Sequence, residues 1–126
     1  MNQLSERNFT IMYIEVIIDF EIEAIHQWKD CNITEVEFLK HKHRHLFKIR
    51  GGFGVEKEDR KLEIFYLQAQ IQNFLENKFP KYNNSNIIDL GNSSCETVAI
   101  LILQNFPKAN WVEVLEDGKG GAKVCR

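Results

Sequence analysis

The three cysteines, Cys31, Cys95 and Cys125, form no CxxC pair and are odd in number. That pattern argues against a disulfide framework and suits free thiols in a reducing cytoplasm. Long apolar runs are missing as well. The longest, IMYIEVIIDFEI, is broken by Glu15 and Asp19, so it does not read as a membrane span, and no basic segment of a secretion signal precedes it. Neither sign of charge is in excess. A formal net charge of −2 gives no overall pull towards nucleic acid or an anionic membrane. No internal repeat and no linker interrupts the chain. What remains is an ordinary globular composition, 44% hydrophobic and 27% charged, over 126 residues. That length suits a single domain over residues 1–126, with a core of useful size.

Periodicity assigns the elements. Residues 9–23 alternate, with Met12, Ile14, Val16, Ile18 and Phe20 on one face and Glu15, Asp19 and Glu21 on the other, which reads as a long strand. Residues 24–35 lose the alternation and read as an irregular connection. A second strand is expected over 41–56, with GGFG at 51–54 marking a bulge or bend. After the polar turn EKEDRK, Leu67, Ile71, Phe74 and Leu75 recur at helical spacing, and Pro80 ends that helix. Ser93 and Glu96 have the spacing of a capping box before a second helix, which Pro107 closes. WVEVLE, the turn DGKGG and AKVC give two closing strands. The order is ββααββ, an α+β fold with an antiparallel sheet and two helices on one face.

The segment HKHRHLFKI carries the strongest chemical signal. His41, His43, His45, Phe47 and Ile49 share one strand face, while Lys42, Arg44, Lys48 and Arg50 share the other with Leu46. Residues two apart on a strand are roughly 7 Å apart, which lets two imidazoles converge on one metal ion. Because the face continues into Phe47 and Ile49, it points inward, and buried imidazoles need partners. An H-x-H pair plus one distant histidine is a three-histidine zinc arrangement that leaves a fourth position open. His26 is the natural third ligand to His43 and His45, and His41 is extra. The basic strip on the other face reads by default as solvated surface. Trp28 and Trp111 read as packing residues.

These motifs resemble the 6-pyruvoyl tetrahydropterin synthase and 6-carboxytetrahydropterin synthase family, whose members carry a histidine after a first strand and then an H-G-H-x-[YF]-x-[VI] strand. In this sequence His26, His43 and His45 fall on the family's zinc ligands, and Phe47 and Ile49 on its apolar positions. SSCETVAILIL resembles the family's helix start and puts Glu96 on a ligand-contacting glutamate. VEVLED resembles its closing strand and puts Glu116 on the glutamate that anchors the heterocycle. HQW, FLKHKHRHLF, DRKLE, SCE and LEDGKGGA are similar still to short bacterial and viral relatives of that family. The resemblance implies the tunnelling fold, zinc, and a pterin-, deazapurine- or purine-like ligand. It also implies a cytoplasmic homo-oligomer assembled through sheet edges, with sites between subunits.

The chain departs from the family in its proton-transfer groups. The stretch before the H-x-H pair, EVEFLK, holds no cysteine, and the family's Asp-His pair is missing from LENKFPKYNN. Cys31 is the candidate catalytic thiol, provided that the 24–35 connection folds back. Two functions stand open on these residues. One is a zinc-dependent lyase or hydrolase acting on a pterin- or purine-like substrate. The other is a non-catalytic protein that captures a purine-type metabolite or nucleotide signal.

Overall fold

The computed structural model describes residues 13–56, 60 and 62–126. Met12 and residues 57–59 and 61 of the EKEDRK turn lie outside the described residues. Strand β1 (Ile14–His26) pairs antiparallel with β2 (His43–Val55), β2 with β4 (Ala109–Glu116), and β4 with β5 (Gly120–Cys125). A two-residue strand, β3 (Ile88–Asp89), adds to the other side of β1 in parallel. The sheet is therefore mixed, in the order β3-β1-β2-β4-β5, and not wholly antiparallel as the sequence pattern suggested. β3 is too short to show a period, so its segment reads from sequence as loop.

Strand β1 also runs further than the alternation implied. Ile18, Ile22, Ala24 and His26 continue one buried face, but Ile25 on the other face is buried too, which hides the period-two signal. His26 thus ends a strand and does not sit in an irregular connection. In β2 the strand begins at His43, which leaves His41 exposed before it. A 3-10 helix (Thr34–Lys40) that the sequence did not suggest fills much of the gap between the strands. The irregularity expected around GGFG falls where β2 meets β4, between Gly52 and Phe53.

Helix α1 (Ile64–Lys78) is capped by Glu63, whose carboxylate accepts the Tyr66 amide, and buries Leu67, Ile71 and Leu75. Helix α2 (Cys95–Asn105) buries Cys95, Val98, Ala99 and Ile102. Its cap is Ser94, whose hydroxyl accepts the Thr97 amide at 3.1 Å, so the expected Ser93–Glu96 box is displaced by one residue. Both helices pack on the face of the sheet that carries Ile18, Ile22, Phe47, Ile49, Val112 and Val114, in one continuous core. The opposite face holds the basic strip, which is matched by acids. Arg44 pairs with Glu23, Lys48 and Arg50 with Asp19, and Arg50 with Glu113. Exposed pairs of this kind contribute little each, but they leave that strip without free charge for a phosphate partner. No helix among the described residues is long and apolar enough to cross a membrane.

Candidate metal centre

Strand register builds the site. His26 stands directly opposite His43 across the β1–β2 pair, and Ala24 stands opposite His45. Cross-strand partners on one face are neighbours, so the histidines of two strands meet on the helix-covered face. Ala24 contributes only a methyl group, which leaves room for the His45 ring to approach His26. Their ring centroids are 5.4 Å apart, and those of His26 and His43 are 4.5 Å apart. Phe47 lies edge-on to His26 and His45 and forms the apolar floor. One ring nitrogen from each of His26, His43 and His45 lies within 4.8 Å of the others.

Hydrogen bonds decide which nitrogens are available. His26 Nδ1 is 3.0 Å from the Ser93 carbonyl, and His43 Nδ1 is 2.8 Å from the His41 carbonyl. A carbonyl only accepts, so each of these Nδ1 atoms carries a proton, and in the neutral ring Nε2 then keeps its lone pair. His45 Nδ1 is 2.7 Å from Asp117 Oδ2, which fixes its ring in the same sense. The Nε2 atoms of His26 and His43 are buried and have no hydrogen-bond partner. Glu116 Oε2 lies 3.1 Å from His26 Nε2, yet the contact is not aligned as a hydrogen bond. We therefore read it as proximity of a carboxylate to a lone pair. Orphaned, inward-facing lone pairs held by Nδ1 hydrogen bonds are what a metal-ligating histidine cluster needs. The donor set, one imidazole nitrogen from each of three histidines, fits zinc.

Asp117 escaped the sequence reading. It follows Glu116 in the β4–β5 turn, where Asp117 (φ 54°) and Gly118 (φ 69°) are both left-handed and the Lys119 amide donates to the Glu116 carbonyl at 2.9 Å. This is the type I′ hairpin that Asp-Gly favours. The turn brings Asp117 back onto β2, where Oδ1 accepts the Leu46 amide at 3.0 Å while Oδ2 holds His45. Those bonds, from His45 first and Leu46 second, keep the Asp117 carboxyl below its ordinary range. The Asp-Gly pair directly after Glu116 was the available signal, but it reads as turn chemistry alone.

The histidine cluster opens onto a cavity of about 790 Å³, a size that suits a small organic ligand. Glu96, from the first turn of α2, and Glu116 both line it, as do Trp28 and Lys119. Trp28 is 41% exposed there and so is not the buried packing residue its sequence suggested. The segment that closes this end is laced to the end of β1 and the residues after it, since Leu90 donates to the Ile25 carbonyl, Gln27 to the Gly91 carbonyl and the Lys29 amide to the Asn92 side chain. Gly91 sits at φ 62°, a left-handed turn that favours glycine. Cys31 is not among the lining residues. It is buried, with its thiol directed at the carbonyls of Ile33 and Val36 at 3.8 and 3.6 Å. The cysteine at the cavity is Cys95. Burial, with the Glu116 carboxylate beside it, pushes its thiol up to about 12, so it stays protonated and is no nucleophile at neutral pH.

The His26 ring is held below its ordinary pKa, chiefly by burial. The Ser93 carbonyl and Glu116 oppose that fall. As pH drops below the unfolded value near 6.5, the unfolded chain takes up a proton before the folded one does. Stability of the metal-free protein is therefore fully present above that pH. It declines as pH falls towards the folded pKa of His26, below which the loss stops growing. Urea midpoints of metal-free protein should drop between about pH 7.5 and about pH 5.5, and His26→Gln should flatten that slope. A slope unchanged by the substitution would contradict the burial of a neutral His26.

No protein-family model and no curated protein matches the chain.

Proposed function

We propose that the protein is a zinc-dependent enzyme of the tunnelling fold that carries out lyase or hydrolase chemistry on a pterin-, deazapurine- or purine-like substrate. The observation that supports this most is the orphaned Nε2 pair of His26 and His43 beside His45, at the edge of a cavity of about 790 Å³. His26, His43 and His45 would hold the metal. A zinc ion bound there would polarise a substrate oxygen as a Lewis acid. Glu96 and Glu116 give the cavity carboxylates that can accept adjacent N–H donors of a guanine-like ring edge, a bidentate and selective contact. Trp28 offers an aromatic wall for the same ring. Uncovered strand edges favour a homo-oligomer with sites between subunits, because β5 has no outer partner strand among the described residues and β3 covers β1 only at Ala24 and Ile25.

One observation favours the second reading, a non-catalytic protein that captures a purine-type metabolite or nucleotide signal. Cys31 lies away from the cavity and Cys95 is held protonated, so no thiolate serves as a base. Titration of zinc-loaded protein with a soluble pterin and with guanosine separates the readings. The enzyme reading expects saturable binding between about 1 μM and about 1 mM with conversion of a reduced pterin or purine substrate. Tight retention without conversion supports the capture reading. Absence of any binding of either ring overturns both.

A further inference from the structure

Glu116 occupies an odd position for a carboxylate. Its Oε2 is 3.1 Å from His26 Nε2 and its Oε1 is 3.5 Å from His45 Nε2. With Nδ1 of each ring engaged by Ser93 or Asp117, Nε2 is the nitrogen left for a metal. A carboxylate that faces two such nitrogens at these distances is placed to share one cation with them. Zinc bonds of 2.0–2.1 Å at tetrahedral angles put neighbouring ligand atoms about 3.3 Å apart, midway between the two observed separations. Register explains how the carboxylate arrives there. Glu116 is the β4 partner of Phe47, one step along the inward face from His45, and the Asp117–Gly118 turn that begins beside it is pinned to β2 through Leu46. From the helix side, Cys95 Sγ donates to Glu116 Oε2 at 3.8 Å and steadies the carboxylate.

We infer that Glu116 is the fourth ligand of the centre, closing a three-histidine, one-carboxylate site in the resting protein, and that a cavity ligand reaches the metal only by displacing it. This rests on the three-histidine reading above and adds to it. The fourth position is guarded by the chain itself and is not left to solvent. Glu116 then has two alternative partners, the metal when the cavity is empty and the ring edge of the ligand when it is filled. Ligand entry frees the carboxylate at the moment the ring needs an acceptor. Glu96, which is exposed at the rim and makes no such approach to the histidines, stays with the ring in both states.

The test uses cobalt as a spectroscopic substitute for zinc, with azide as a small competing ligand. Glu116→Gln keeps the shape of the side chain and removes its charge, and circular dichroism checks its fold against the wild type. The inference expects Glu116→Gln to bind cobalt and zinc at least about tenfold more weakly in chelator competition. It expects azide to change the visible cobalt spectrum of Glu116→Gln at concentrations that leave the wild-type spectrum unchanged. Glu96→Gln should match the wild type in both measurements. Equal metal affinity and equal azide response in wild type and Glu116→Gln would overturn the inference and leave the three-histidine site standing. No metal binding by wild type would overturn the site itself, and the inference with it.

Discussion

His43→Ala should give up its zinc to a chelator concentration that leaves the wild-type protein with about one zinc per chain by elemental analysis. A structural zinc site with four ligands is worth roughly 10–16 kcal/mol, or on the order of 3 kcal/mol for each ligand, so the loss of one lowers affinity by roughly 100-fold. His43 is the informative position because its removal harms the fold least. It lies at the start of β2, is only half-buried, and its Nδ1 hydrogen bond goes to the carbonyl of the nearby, exposed His41. His26, by contrast, is 7% exposed and pins the Ser93 carbonyl, so its truncation leaves a buried acceptor unpaired and confuses folding with binding. His41→Ala is the matched control on the same segment and should keep its zinc. Equal zinc content in wild type, His43→Ala and His41→Ala would contradict the assignment.

Zinc should also stabilise the protein strongly. The ligands come from two strands joined through the 3-10 helix, and His26 additionally ties β1 to the residue before the α2 cap. A metal held by them would therefore bind the native arrangement and not the unfolded chain. At free zinc about 1,000-fold above the dissociation constant, linkage supplies about 4 kcal/mol. For a chain of this size that raises Tm by roughly 10–20 °C. The rise should vanish on adding a chelator and shrink below about pH 6, where protons compete for the imidazoles. A melting curve that is the same with zinc and with chelator at neutral pH would argue against a native metal site.

Much of this site was legible in the sequence because strands have a rigid period. His43 and His45 had to share a face, and Phe47 and Ile49 marked that face as inward; both aromatic and aliphatic residues are buried there at 1% and 0% exposure. The helices were legible from Leu67, Ile71 and Leu75, and from the apolar run after Cys95. What stayed hidden depended on register or on segments too short to carry a period. His26 appeared to follow a strand because burial of Ile25 on the reverse face masked the alternation. β3 spans two residues, so the parallel pairing that draws Ser93 towards His26 had no sequence signature. Asp117 reads as a turn residue, and only the pairing of β4 with β2 reveals that its carboxylate holds His45. Cys31 enters only as a stand-in for the cysteine that the resembled family carries before its H-x-H pair, and nothing in its spacing shows that its thiol turns to the carbonyls of Ile33 and Val36.

If His26, His43 and His45 bind one metal through Nε2 while Nδ1 keeps its proton, long-range proton–nitrogen correlation spectra of nitrogen-15-labelled protein, recorded with and without zinc, will show it. Zinc should shift the Nε2 resonances of these three histidines at a stoichiometry of one, with each Nδ1 remaining protonated and His41 unaffected. Nδ1 coordination, or zinc-dependent shifts confined to His41, would contradict it.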